Sequence, residues 1–164
     1  MQRFAWSIFA ASVLAAGTVI LATQGQLPAT VATHFAKGGQ PNGWMSHDLY
    51  TLVMVALAIG LPVAIVAATT WLPRVAPSLL KLDKCKRWAD PAARPAIMAS
   101  TKTFGLFAGA MVAGFVAALH LLVVTAHEHV PVKLDDAWFI TLAVSFAVAI
   151  VLACMLHTVH TKRA

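Results

Sequence analysis

Seven histidines, two cysteines and six carboxylates carry most of the chemistry open to this 164-residue chain. Five imidazoles, His34, His47, His120, His127 and His129, stand near the same ends of the hydrophobic runs, with Glu128, Asp135 and Asp136 close by in sequence. His120 and His127 are seven apart, so on a helix they share a face. Imidazole and carboxylate together suit zinc or copper. His34, His47, His120, His127, His129 and Glu128 therefore form one candidate metal centre. No two of them show a recognised metal spacing such as HExxH. The plainer alternative is a neutral His120 hydrogen-bonded between helices, with the other histidines making turn contacts. At the opposite end, Cys154, His157 and His160 recur at i, i+3, i+6, and Cys85 falls on the same side, a set that would suit a soft metal. That spacing drifts around a helix, so histidines lying near anionic headgroups are the competing reading. No Ser/His/Asp grouping, phosphate-binding glycine loop or buried carboxylate pair accompanies these residues, which points away from an enzyme. One histidine inside the spans gives no charged pathway for transport.

The elements that position these residues are membrane spans. Only 11% of the residues are charged and 60% are hydrophobic, too little charge to cover a soluble domain of this size. Uncharged runs predict an all-α integral membrane protein, a single domain over residues 1–164, with four transmembrane helices near residues 4–23, 49–72, 104–126 and 137–157. A cleaved leader is the rival reading of the first run, which is long for that purpose. Net charge is +6, a balance that elsewhere suggests nucleic acid. Here ten of the twelve Lys/Arg, seven of them in the basic loop 73–102, fall on one side of the predicted spans. The basicity is thus a topology signal that places both termini in the cytoplasm, makes the lipid bilayer the partner and excludes nucleic acid. On that cytoplasmic side Cys85 and Cys154 would stay reduced.

Caps and breakers refine the picture. Ser46 or Asp48 is placed to cap the second helix and Pro73 to end it, and Pro62 near its middle predicts a kink. Asp90-Pro91 reads as the start of the third helix, and Asp135-Asp136 as that of the fourth. Gly105, Gly109 and Gly114 lie among alanines at four-residue spacing, which predicts close helix packing. Gly109, deeper in the span, is expected to be the tighter contact of Gly105 and Gly109.

Residues 24–48 form the one long polar-rich stretch between spans, predicted as an ordered outer loop. Gly38-Gly39 and Pro41-Asn42-Gly43 are turn signals. Ordering so many loop residues costs backbone entropy, at about 1–2 kcal/mol each. Leu27, Val31, Phe35 and Trp44 are expected to pack together or on the outer helix ends to offset it. His34 and Trp44 should then be among the best-buried residues, with His34 bonded to a backbone carbonyl of the turns.

At Leu27-Pro28, Thr33-His34-Phe35 and Gly39-Gln40-Pro41-Asn42-Gly43-Trp44 the chain resembles a bacterial membrane family, the domain of unknown function 1648. That domain also forms the N-terminal part of SdpI-like toxin-immunity proteins. The resemblance covers residues 4–72: a first span, a loop of this form, then a second span. Trp88, Pro91 and Arg94 echo a segment that follows the second span in the family, although Arg87 stands where an aromatic residue is expected. The resemblance implies a compact four-span relative in the bacterial cytoplasmic (inner) membrane. The expected function is non-enzymatic, with an outer loop that binds a ligand, a metal or a partner such as a secreted peptide or another membrane protein, as in immunity or signalling. The alternative is an accessory subunit of a larger membrane complex, in which the glycine-lined third helix packs on a partner.

Overall fold

The computed structural model describes residues 2–80, 82 and 86–163. Four helices dominate it: α1 (Gln2–Thr23), α2 (His47–Val75), α3 (Arg94–His127) and α4 (Asp136–Arg163). All four are long and apolar enough to cross a membrane, as a multi-pass membrane protein requires. Between α1 and α2 the chain forms two strands, β1 (Thr30–Phe35) and β2 (Pro41–Ser46), paired antiparallel. The loop expected between the first two spans thus contains a β-hairpin, set on an otherwise helical chain. Thr30, Val31, Thr33 and Phe35 favour a pleated strand, but Pro41 and Gly43 in β2 do not, which conceals the second strand in the sequence.

The core is a three-helix stack. Ala5, Phe9, Ala16 and Ile20 form the inward stripe of α1, and Ala58, Pro62, Val66, Thr69 and Pro73 that of α2. Both face α3, which is buried along most of its length and is the central helix. Its packing falls into layers: Ala5, Phe9, Val66 and Leu106 at one end, Ala16, Ile20, Ala58, Ala113 and Val116 in the middle, and Leu27, Val31, Tyr50 and Val124 under the hairpin. Small residues in the middle layer let the backbones approach closely. α4 packs against α3 through stacked pairs, Phe115 with Phe146 (centroids 4.2 Å apart) and Phe104 with His157 (4.7 Å). None of the described α4 side chains is buried. The four-helix bundle thus has a core built by three helices, with the fourth packed against α3 at its periphery.

Helix ends differ from the sequence reading in two places. α3 starts at Arg94 with Pro95 in its first turn, while the Asp90 carboxylate accepts the Ala92 N–H in a preceding turn. Pro95 fits because the first-turn N–H groups have no helical acceptor anyway. α2 runs through Pro73 to Val75 instead of ending there, with Pro73 fully buried in the last turn. At α4 the Asp135 carboxylate caps the helix as expected, accepting the Ala137 and Trp138 N–H groups. Ser46 occupies the capping position of α2 but makes no side-chain cap bond.

The glycines of α3 are not equivalent. A methyl group on Gly105 would overlap the Thr69 side chain, and one on Gly109 would stand 2.9 Å from Phe9 and 3.1 Å from the Pro62 carbonyl oxygen. Gly105 is therefore the tighter of the two, against the sequence expectation, because α2 turns Thr69 directly onto it. Gly114 faces open space and takes no part in this packing.

Candidate functional site

The hairpin begins with its turn. Gly38 and Gly39 have φ of +89° and +75°, a region that side chains disfavour. The Ala36 N–H donates to the Gln40 carbonyl at 2.8 Å and closes the turn. Gly39 also lies directly against the Leu134 backbone, where a methyl group would overlap the carbonyl oxygen. Gly43 lies opposite His34, and a methyl there would stand 2.9 Å from the His34 ring. Register irregularities flank His34, so β1 bends where the Thr33 hydroxyl reaches the Gly43 carbonyl.

Three helices hold this hairpin. From the C-terminal end of α3, His127 Nε2 accepts the Ala32 N–H at 3.0 Å, while its Nδ1–H donates to the Val123 carbonyl at 2.8 Å. From the start of α4, the Asp136 carboxylate accepts the Gly38 N–H at 2.8 Å, and the Leu134 N–H donates to the Gly39 carbonyl at 2.9 Å. From the start of α2, His47 donates through Nε2 to the Gln24 carbonyl and through its backbone N–H to the Ala29 carbonyl, both at 3.0 Å. His47 Nδ1 lies 3.1 Å from the Asp48 carboxylate.

Below the hairpin, His120 is fully buried, and both ring nitrogens are engaged. Tyr50 Oη lies 3.0 Å from Nδ1 and Thr23 Oγ1 lies 2.8 Å from Nε2, while Thr23 also donates to the Val19 carbonyl. The Tyr50 and His120 rings are nearly parallel, with centroids 5.7 Å apart. Tyr50 and Thr23 are the residues sequence reading missed. The one available signal was that Tyr50 is the only tyrosine and sits in the same outer third as His120.

The candidate metal centre does not assemble. Among the described residues no three of His, Cys, Asp or Glu come together to hold an ion. His120 and His127 spend both ring nitrogens on hydrogen bonds, His34, His129 and Glu128 are exposed, and His47 is tied to Gln24 and Asp48. At the other end Cys154 is exposed on α4 and His157 stacks on Phe104, while Cys85 lies outside the described residues.

The expected burial of the loop motif is also corrected. Leu27 and Val31 are buried as expected, but His34 is exposed and Trp44 is 50% exposed. His34 bonds the Thr33 hydroxyl through Nδ1, at 3.1 Å, in place of a turn carbonyl. The reason is alternation along the strand: Val31 and its partner Met45 face the helices, which turns Trp44 outward, edge-on to the His127 ring with centroids 6.5 Å apart. Pro28, Phe35, Pro41 and Asn42 complete the motif, with Phe35 half-buried and Asn42 exposed.

Between the hairpin and the helices lies a cavity of about 350 Å³. Its floor is α3 (Leu119, Val123), its walls are α2 (Tyr50, Leu57) and α4 (Phe139), and its roof is Thr33–Phe35 with Met45. Compared with protein-family models, with curated proteins and with solved structures, the chain matches none.

Proposed function

We propose that this is a non-enzymatic four-span protein of the bacterial cytoplasmic membrane. Its termini lie in the cytoplasm, and the hairpin on the outer face recognises a protein partner, either a secreted peptide or another membrane protein, in the manner of an immunity or signalling protein. The observation that carries this reading is the contrast within the hairpin. Its backbone is held by α2, α3 and the start of α4, yet Trp44 and Asn42 are exposed. Aromatic anchors on a surface that is already ordered lose little entropy on binding. A segment serving only as a lid would gain more by turning its tryptophan inward. The likeness of residues 27–44 to the immunity-protein loop adds to the reading.

The second reading, an accessory subunit, draws on the exposed apolar face of α4 and on Gly60 and Gly114, which meet nothing within 4 Å. Photo-crosslinking side chains placed in living cells separate the two. Adducts of a discrete mass from positions 42 and 44, lost when Trp44 neighbours are made alanine, support recognition through the hairpin. Adducts confined to Gly60, Gly114 and Val148 support the subunit reading.

A further inference from the structure

We propose that the cavity beneath the hairpin is a lipid site that takes one acyl chain of a phospholipid, with the phosphate at Thr33 and His34. The proposal rests on the membrane placement above, but not on partner recognition by the outer face of the hairpin.

The cavity is graded along its length. At the hairpin end it carries the Thr33 hydroxyl and the His34 ring, and away from it the lining is Val53, Leu57, Leu119 and Phe139. Its volume of about 350 Å³ is at the low end for a ligand pocket, enough for one chain. Leu57 and Phe139, from the two helices that flank α3, are 38% and 41% exposed, so the mouth opens sideways between α2 and α4. For a spanning helix that direction is the bilayer. Water gains nothing in an apolar space with few polar partners, whereas an acyl chain recovers dispersion contacts along the whole lining.

The polar end selects the headgroup. Among the described residues the only hydrogen bond of the His34 ring is through Nδ1 to Thr33, which leaves Nε2 for a ligand. With the Thr33 hydroxyl donating to Nδ1, the nearer of its two acceptors, the ring hydrogen sits on Nε2, and that N–H matches an acceptor-rich group such as phosphate. Tyr50, the other polar side chain in the lining, is bonded to His120 and adds only its ring.

The test uses the full chain in vesicles of phosphatidylethanolamine and phosphatidylglycerol. These are doped with a phosphatidylglycerol that bears a diazirine at the end of one acyl chain. Irradiation and peptide mass spectrometry should find Val53, Leu57, Leu119 and Phe139 labelled above Leu14 and Leu21, which are exposed on α1. Leu119→Trp and, separately, Val53→Phe should remove most of the cavity label and leave the α1 label unchanged. Thr33→Ala with His34→Ala should also lower the cavity label, as either filling variant does without touching the headgroup end. Cavity label equal to that at Leu14 and Leu21, or unaffected by both filling variants, overturns the site. Label displaced by a free fatty acid but not by unlabelled phosphatidylglycerol overturns the phosphate assignment. No label at Leu14 and Leu21 would instead fault the membrane placement.

Discussion

Around His120 one arrangement of hydrogens satisfies every contact: Tyr50 donates to Nδ1, Nε2–H donates to Thr23, and Thr23 donates to the Val19 carbonyl. With a neutral ring each group in this chain of hydrogen bonds is paired, which is what burial without water demands. Tyr50→Phe removes the first donor and should cost about 1–3 kcal/mol, since Nδ1 is left buried and unpaired. His120→Ala should cost more, because it strands the Tyr50 hydroxyl and leaves a cavity as well. Unfolding in a mild detergent measures both. Wild-type stability for Tyr50→Phe would mean that the hydroxyl does not donate to this ring.

Among the elements, the hairpin and the α2–α3 contact depend most on single glycines. Gly39→Ala adds the cost of a left-handed conformation, about 1–2 kcal/mol, to an overlap with the Leu134 carbonyl. The turn should lift from the start of α4, and trypsin added from the hairpin side should then cut after Lys37 much faster than in wild type. If wild type is cut there equally fast, the hairpin is not held. On α3, Gly105→Ala should destabilise most and Gly109→Ala by a similar or smaller amount, in the range of about 1–3 kcal/mol for overpacking. Gly114→Ala, with open space before it, should be neutral or stabilising by up to about 1 kcal/mol from helix propensity. Equal thermal shifts for all three variants would contradict this α2–α3 geometry.

For the whole molecule the orientation can be checked directly. In a background without Cys85 and Cys154, single cysteines at Lys37 and Lys133 should react with an impermeant maleimide from outside intact cells, and one at Lys86 should not. Reaction at Lys86 first would invert the topology. The number and rough limits of the helices were legible because a span must be a long uncharged run, whereas the orientation is a prediction from the Lys/Arg split that the maleimide labelling tests. The turn at Gly38-Gly39 was legible for a similar local reason, since few residues other than glycine adopt positive φ. Side-chain partners were not local. That Tyr50 and Thr23 close on His120, that His127 takes a strand N–H instead of a metal, and that Trp44 faces outward all follow from how α1, α2 and α3 rotate against one another. Apolar sequence leaves that rotation nearly free, because in lipid a leucine on either face is equally solvated. Close contacts at Gly105 and Gly109 and the pairing of a few buried polar groups fix it, and these exist only once the helices have packed.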